Sequence, residues 1–206
     1  MGTTEYTGNV LVAMPDDRKI MPVEGEQYPL FVYGASKSGF ASHAKIAPFL
    51  TKTGMPAVMT GAIMLVNERF PFIMCVGGEN DIVTGELLTF DPERYEAALA
   101  RADVANGIYA PDAPSNFTRH LITIWTFDRK PHLAWVYVAG PNLLNVFGQT
   151  PIIPSGWWTP ETHREAWDIF TGSVEGDVTV VPAIGETTPL PALGAGEVPE
   201  VDIIEL

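Results

Sequence analysis

An apolar run that opens into a loop of small residues is the part of this chain best suited to chemistry. Residues 30–39 read LFVYGASKSG, so a strand-like segment ends at Tyr33 and small residues follow it. Small residues leave backbone N–H groups open, and such groups bind anions and polar ligands. We therefore predict a ligand site that includes Gly34, Ala35 and Ser36. The alternative interpretation is a core strand followed by an ordinary turn.

Tyr33 and Lys37 also have the Tyr-x-x-x-Lys spacing that short-chain dehydrogenases use to donate a proton and hold the nicotinamide ribose. In those enzymes the pair lies far downstream of a glycine-rich dinucleotide-binding unit. Only 32 residues precede Tyr33, and no G-x-G-x-x-G follows a strand anywhere in the sequence. We therefore exclude a dehydrogenase and expect Lys37 to be a solvated side chain.

The same segment resembles the opening of another enzyme family. Residues 30–36 are similar to the F-x-Y-G-[ST]-L motif of the gamma-glutamyl cyclotransferase-like proteins. The resemblance continues in the same order at residues 61–64, 83–88, 91–103, 119–121, 134–138 and 153–157. It implies an α+β fold in which a mixed sheet or small barrel carries a few helices.

The resemblance also implies a ligand and an activity. In the family, the first strand and the loop after it bind a γ-glutamyl group, so this binding is assigned to Tyr33, Gly34, Ala35 and Ser36. Tyr137 falls in one of the later matching segments and is assigned to the same site, with core packing as its alternative role. The implied activity is release of 5-oxoproline from a γ-glutamyl amine or peptide by attack of the substrate's own α-amine.

One position departs from the family pattern. Family members place a catalytic glutamate in a helix-ending L-D-x-x-E-G-Y, where it acts as general base and acid on the α-amino group. The matching residues 102–108 read ADVANGI, so Asn106 occupies the glutamate position. An amide hydrogen-bonds a ligand but cannot accept and return a proton. Surviving catalysis would need Asp103 or Glu86 as the base, whereas the simpler interpretation makes each of them a surface or capping acid. For Asn106 the alternative to ligand binding is a helix C-cap beside Gly107.

The composition describes a globular protein with a strongly acidic charge balance. The chain has 206 residues, 46% of them hydrophobic and 18% charged, which suits one folded domain with extensions. A net charge of −13 repels nucleic acid and anionic membranes, so we expect neither as a partner. The sequence contains no apolar run of membrane-spanning length and its N-terminus lacks a signal-peptide pattern, so we expect a soluble, cytoplasmic protein.

Neither cysteine nor histidine chemistry is indicated. Cys75 is the single cysteine and lies in an apolar segment, so we expect a buried, inert thiol and no internal disulfide. The four histidines show no metal-binding spacing, and we expect neither a metal site nor a cofactor.

Hydrophobic alternation and turn residues divide the chain into an N-terminal extension (1–29), a domain (30–172) and an acidic tail rich in Pro and Gly (173–206). The extension includes an apolar patch at 10–14 that is predicted to be an edge strand. Strands of the domain are predicted at 30–33, 57–66, 71–76, 82–90, 119–127 and 133–139. Helices are predicted at 91–103 with Asp91 as N-cap, at 160–171 with Thr159 as N-cap, and near 42–50.

Two functional classes remain open from the sequence. The first is a cyclotransferase-like protein, either an active divergent enzyme or a former enzyme that binds a small γ-glutamyl-type ligand. The second is a non-catalytic binding or structural subunit of a larger assembly, with protein partners or further copies of itself, which the long extensions and acidic charge favour. A cavity shared by the Tyr33 loop and Asn106 distinguishes the two, because a filled space would leave no room for catalysis.

Overall fold

The computed structural model describes residues 16–76, 78, 80–110, 113–145, 150–171 and 180–181. The strands are β1 (Leu30–Val32), β2 (Met55–Thr60), β3 (Ile63–Val66), β4 (Pro71–Met74), β5 (Ile82–Leu88), β6 (Phe117–Thr126), β7 (Pro131–Ala139), β8 (Thr150–Pro151) and β9 (Val180–Val181). The α-helices are α1 (Tyr95–Ala105), α2 (Pro141–Asn145) and α3 (Pro160–Phe170). Short 3₁₀ helices span Asp16–Arg18, Ala41–Lys45, Ala47–Phe49 and Pro92–Arg94.

Five of these strands form a closed barrel in the order β1-β5-β2-β6-β7. Neighbouring strands are antiparallel except at the closure, where β1 runs parallel to β7 and Leu30 pairs with Trp135. Along β5, Val83, Gly85 and Leu87 are buried and alternate with more exposed residues, as the two faces of a barrel wall require. The predicted α+β fold with a small barrel and a few helices is confirmed.

The strand predicted at 57–66 is in fact two strands, and Gly61 explains the correction. β2 ends at Thr60 and belongs to the barrel, whereas β3 begins at Ile63 and pairs with β4 in a separate hairpin. Gly61 lies between them with φ +68°, a left-handed conformation that glycine adopts without a steric penalty. The chain therefore leaves the barrel at this glycine.

The helices predicted at 91–103 and 160–171 are present with their predicted caps. The Asp91 side chain accepts a hydrogen bond from the Glu93 N–H at 3.0 Å, and one 3₁₀ turn then leads into α1. Thr159 begins α3 with a capping box, in which side chains and backbone groups bond reciprocally. The buried face of α1 contains the predicted apolar positions, which are Tyr95, Ala98, Leu99 and Ala102.

The segment near 42–50 is not the α-helix that its composition predicts. It forms the two 3₁₀ helices Ala41–Lys45 and Ala47–Phe49, joined at the buried Ile46. Pro48 has no N–H to donate, so it cannot continue α-helical hydrogen bonding through this segment. The result is a compact pair of turns directly after the loop that follows β1.

Parts of both predicted extensions contact the domain. Ile20 forms a β-bridge with Leu121, and Tyr28 is buried. In the predicted tail, Val180–Val181 pairs with β8. The predicted edge strand at 10–14 and the rest of the tail lie outside the described residues. None of the helices in the described part of the chain is long and apolar enough to cross a membrane.

Gly85 permits the close packing of β5 on β1. A Cβ atom at this position would overlap the carbonyl oxygen of Val32 and lie 2.7 Å from the ring of Phe31. We expect Gly85→Ala to lower the free energy of unfolding by about 2–3 kcal/mol, because both neighbours are held in the barrel and cannot move aside cheaply. Urea denaturation of the two proteins measures the difference.

Gly78→Ala is the matched control for this prediction. Among the described residues, a Cβ atom at Gly78 would meet only Asp81 Oδ2, at 3.7 Å, so its effect should stay within about 1 kcal/mol. Equal urea midpoints for the Gly85 and Gly78 variants would contradict the packing argument.

Candidate functional site

A cavity of about 360 Å³ lies where the loop after β1 faces the C-terminal end of α1. The 3₁₀ helix Ala41–Lys45 and residues of β6 and β7 complete its wall. Six of the residues predicted for the site line this one cavity: Tyr33, Gly34, Ala35, Ser36, Asn106 and Tyr137. Asp103 and Glu86 are not among the lining residues.

Local hydrogen bonds and one glycine determine the conformation of the loop after β1. The Lys37 N–H donates to the Gly34 carbonyl at 3.1 Å, and the Ser42 N–H donates to the Ala35 carbonyl at 3.1 Å. A Cβ atom at Gly34 would lie 2.8 Å from Pro71 Cγ, so the close approach of the two chains requires glycine there. Within the described residues, the N–H groups of Ala35 and Ser36 have no hydrogen-bond acceptor. They are therefore available to a ligand.

The hydroxyl of Tyr33 donates its hydrogen bond to a group of the protein and not to a ligand. It donates a 2.7 Å hydrogen bond to the carbonyl oxygen of Tyr137. Burial raises the pKa of the Tyr33 hydroxyl far above its ordinary value, so the group stays protonated at neutral pH. Tyr33 contributes its ring to the cavity and its hydroxyl to the junction between β1 and β7.

Lys37 is buried, which corrects the prediction of a solvated lysine. Only 2% of the residue is exposed, and its Nζ donates to the Trp158 carbonyl oxygen at 2.8 Å. The ammonium group also lies 4.0 Å from the ring centroid of Trp157, a cation–π distance. Burial lowers the pKa of Lys37, with Glu86 acting in the opposite direction. Lys37 therefore fastens the loop to the segment that precedes α3.

Glu86 fixes the other end of the loop. Its Oε2 accepts hydrogen bonds from the Ser38 N–H at 3.0 Å and from the Ser38 hydroxyl at 2.7 Å. The Glu86 carboxylate therefore binds Ser38, and neither of these two residues lines the cavity. Glu86 and Lys37 together hold the loop from two directions.

Asn106 ends α1 as its C-cap and also lines the cavity. Its Nδ2 donates to the Ala102 carbonyl oxygen at 2.8 Å, and its backbone N–H donates to the same carbonyl. Gly107 follows with φ +74°, which turns the chain away from the helix axis. No group in the described part of the chain donates a hydrogen bond to Asn106 Oδ1. The predicted C-cap role is therefore present, and Asn106 also lines the cavity, where its Oδ1 could accept a hydrogen bond from a ligand.

Asp103 lies behind the cavity wall in a polar cluster. Its Oδ1 accepts a 2.7 Å hydrogen bond from the Tyr137 hydroxyl, and its Oδ2 lies 3.4 Å from Nη1 of Arg119. That ion pair lacks hydrogen-bond geometry, and Arg119 Nη1 has no hydrogen-bond partner among the described residues. The guanidinium group also stacks 4.7 Å from the ring centroid of Trp135. Burial, and then the contact with Asp103, raises the pKa of Tyr137.

Arg119 is the residue of this cluster that sequence reasoning missed. It stands at the start of a matching segment, and the available signal was a charged residue at the start of the strand predicted at 119–127, which is the third position of β6. Long-range register was needed to use this signal, because Arg119 meets Asp103 only through the pairing of β6 with β7.

The electrostatics of the cavity differ from those of the chain as a whole. Among the described lining residues, Lys45 bears the only formal charge, and none is a carboxylate. The whole chain nevertheless has a net charge of −13. The cavity therefore presents open backbone N–H groups and one cation to a ligand, which suits an anionic group.

The small five-stranded barrel with a few helices is the fold of the gamma-glutamyl cyclotransferase-like proteins, and comparison with known families agrees. The profile of the family described as gamma-glutamyl cyclotransferase, AIG2-like, matches residues 30–160. The chain therefore belongs to this family, and the family predicted from the sequence is confirmed. No curated protein matches the chain.

Several solved structures are similar to this chain. YkqA from Bacillus subtilis is 15% identical with a TM-score of 0.43; the match covers 73% of this chain and 44% of YkqA, so the chain spans less than half of that relative. An AIG2-like protein from Mus musculus is 17% identical with a TM-score of 0.42, over 55% of this chain and 77% of that one. A protein from Arabidopsis thaliana is 18% identical with a TM-score of 0.46, over 75% and 83% of the two chains.

The buried position of Lys37 makes stability depend on pH. Because its pKa is lower in the folded protein than the ordinary 10.5, the unfolded chain binds more protons in the interval between the two pKa values. The free energy of unfolding therefore rises with pH in this interval. Lys37→Met removes the titrating group, so we expect the stability of the wild type relative to this variant to increase as the pH rises toward 10.5.

Urea denaturation at several pH values under reducing conditions checks this expectation. Lys52→Met is the matched control, because it removes a lysine that is exposed on the surface. If the free energy of unfolding of Lys37→Met changed with pH in parallel with that of the wild type, Lys37 would not be desolvated in the folded protein.

Replacing Asp103 by its amide tests the polar cluster. In Asp103→Asn, the amide oxygen can still accept from Tyr137, but the NH₂ group then faces the Arg119 guanidinium, and two donors meet. We expect a loss of about 1–2 kcal/mol in the free energy of unfolding. Thermal and urea denaturation measure it, with the exposed Glu96→Gln on the same helix as control. An unchanged Asp103→Asn protein would mean that the cluster does not stabilise the fold.

Proposed function

We propose that the protein binds γ-glutamyl compounds in this cavity and that turnover is suppressed because residue 106 is an amide. The observation that carries the proposal is the position of Asn106, which lines the same cavity as the open N–H groups of Ala35 and Ser36. Those N–H groups suit a carboxylate or a carbonyl oxygen, and the family reaction requires both on its substrate.

The family reaction explains why one side chain matters so much. The α-amine of the γ-glutamyl group attacks its own γ-carbonyl carbon, a C–N bond forms, and the bond from that carbon to the departing nitrogen breaks. The attacking nitrogen loses a proton and the leaving amine gains one, so the products are 5-oxoproline and a free amine. A carboxylate at residue 106 would carry that proton, whereas the amide of Asn106 cannot.

The other polar groups around the cavity are poor substitutes for this base. The hydroxyls of Tyr33 and Tyr137 are already hydrogen-bond donors to protein groups, and the pKa values of both are raised. Asp103 lies beyond the Tyr137 hydroxyl, so a proton from the ligand would have to pass through that hydroxyl to reach it. The proposal therefore assigns Asp103 to the polar cluster and Glu86 to the loop.

Asn106→Glu tests the proposal by restoring the missing group. General acid–base catalysis contributes roughly 10²- to 10⁴-fold, so we expect 5-oxoproline release to increase by about 10²-fold or more over the wild type. Chromatographic measurement of 5-oxoproline would follow γ-glutamylalanine, γ-glutamyl-ε-lysine and γ-glutamylbutylamine. Asn106→Gln is the matched control, because it has the length of glutamate without a titratable group.

Binding and stability complete the experiment. Titration calorimetry with the same compounds should give binding to the wild type and to both variants, since residue 106 is not required for the N–H contacts of the loop. A folded Asn106→Glu protein that binds these compounds without gaining turnover would refute the role given to residue 106. Failure of the wild type to bind any of them would favour the alternative of a binding or structural subunit that uses only the fold.

A further inference from the structure

Lys45, the one charged residue among the described lining residues, is exposed to solvent, and we call this side of the cavity its mouth. Lys45 ends the 3₁₀ helix Ala41–Lys45 and is exposed to solvent, whereas Ala35 and Ser36 are only partly so. It forms no ion pair with any residue that the structure describes. A lysine without a protein counter-ion at the mouth of a cavity is available to a ligand.

The position of Lys45 relative to the loop is fixed by two hydrogen bonds. The Ser42 N–H donates to the Ala35 carbonyl at 3.1 Å, and Nδ1 of His43 lies 3.0 Å from the carbonyl oxygen of Ser36. Ile46, the next residue after Lys45, is buried and also lines the cavity. The helix is thus docked on the loop, so one ligand can contact both the loop N–H groups and Lys45.

We propose that Lys45 selects ligands that carry a second carboxylate, on the amine part that lies opposite the γ-glutamyl group. The inference rests on the proposed function, in which the loop takes the γ-glutamyl end. The amine part then points toward the mouth, where Lys45 is exposed. The ligand class is therefore γ-glutamyl amino acids and peptides with a free carboxylate, in preference to γ-glutamyl amines that end in a neutral group.

Two ligands of equal size isolate this carboxylate. γ-Glutamylalanine and γ-glutamylalaninamide differ only in a terminal carboxylate or carboxamide, so the γ-glutamyl contacts are the same in both. We expect the wild type to bind the carboxylate about fivefold more tightly than the carboxamide, as for an ion pair that is partly exposed. Added salt should reduce this ratio, because it screens an exposed charge pair.

Lys45→Met should bring the ratio of the two dissociation constants close to one and leave the affinity for the carboxamide unchanged. Lys52→Met is the control for total charge, since Lys52 is exposed and does not line the cavity. Lys52→Met should keep the ratio of the two dissociation constants that the wild type shows. Titration calorimetry of the three proteins with the two ligands gives all six constants, and circular dichroism verifies that the variants are folded.

The possible failures are distinguishable. Equal binding of both ligands by the wild type would overturn the role of Lys45 while leaving the proposed function intact. Equal weakening of both ligands by Lys45→Met would also overturn it, because Lys45 would then contact the γ-glutamyl carboxylate that the two share. If neither ligand bound the wild type, the proposed function itself would fail, and the role of Lys45 with it.

Discussion

The structure of the site depends on the closure of the barrel, where β1 lies parallel to β7. This pairing brings Tyr33 within 2.7 Å of the Tyr137 carbonyl oxygen, although 104 residues separate them in the sequence. The first strand ends at this junction, so the loop after it emerges beside β7 and opposite the end of α1. Without the closure, the loop N–H groups and Asn106 would not share a cavity. Closure of the barrel therefore completes the packing of the strands and also brings together the residues that line the cavity.

The loop is held in place before any ligand arrives. Lys37 connects it to the Trp158 carbonyl, Ser38 connects it to Glu86, and Ala35 accepts a hydrogen bond from the following 3₁₀ helix. A backbone that is already ordered loses little conformational entropy on binding, which raises affinity for a given set of contacts. This arrangement also explains why a charged lysine is buried here, since its ammonium group has a carbonyl and an aromatic ring as partners.

Features that depend on local sequence could be predicted, and those that depend on long-range contacts could not. Asp91 and Thr159 are cap residues followed by helical patterns; α3 begins where predicted, whereas Asp91 caps a 3₁₀ turn and α1 begins only at Tyr95. The strands β1 to β7 overlap the segments predicted to be strands, apart from the break at Gly61, where a backbone angle rather than hydrophobicity decides. The short strands β8 and β9 were not predicted. The burial of Lys37 depends on a partner 121 residues away, which no local pattern contains.

The candidate site shows the same division. The loop after β1 and Asn106 were identified because ordered motifs locate them along the chain, and the structure places them in one cavity. The contacts of Asp103 with Tyr137 and Arg119 could not be predicted, because they depend on the register of β6 against β7, which the sequence alone does not supply. Lys45 was likewise missed, because a lysine in a short polar turn normally indicates a solvated surface.

If residue 106 stands at the position of the family's base, as we propose, the end of α1 shows how one substitution would exchange catalysis for stability. A glutamate at position 106 would place negative charge near the C-terminal carbonyl groups of the helix, which the helix dipole disfavours. The same unfavourable field raises the pKa of a carboxylate and makes it a better proton acceptor near neutral pH. The destabilisation of the helix and the basicity of the glutamate would therefore have the same electrostatic cause. Asn106 removes the charge and instead donates to the Ala102 carbonyl at 2.8 Å. Residue 106 thus caps the helix, and in the function that we propose the cavity lacks a group at this position that could move a proton.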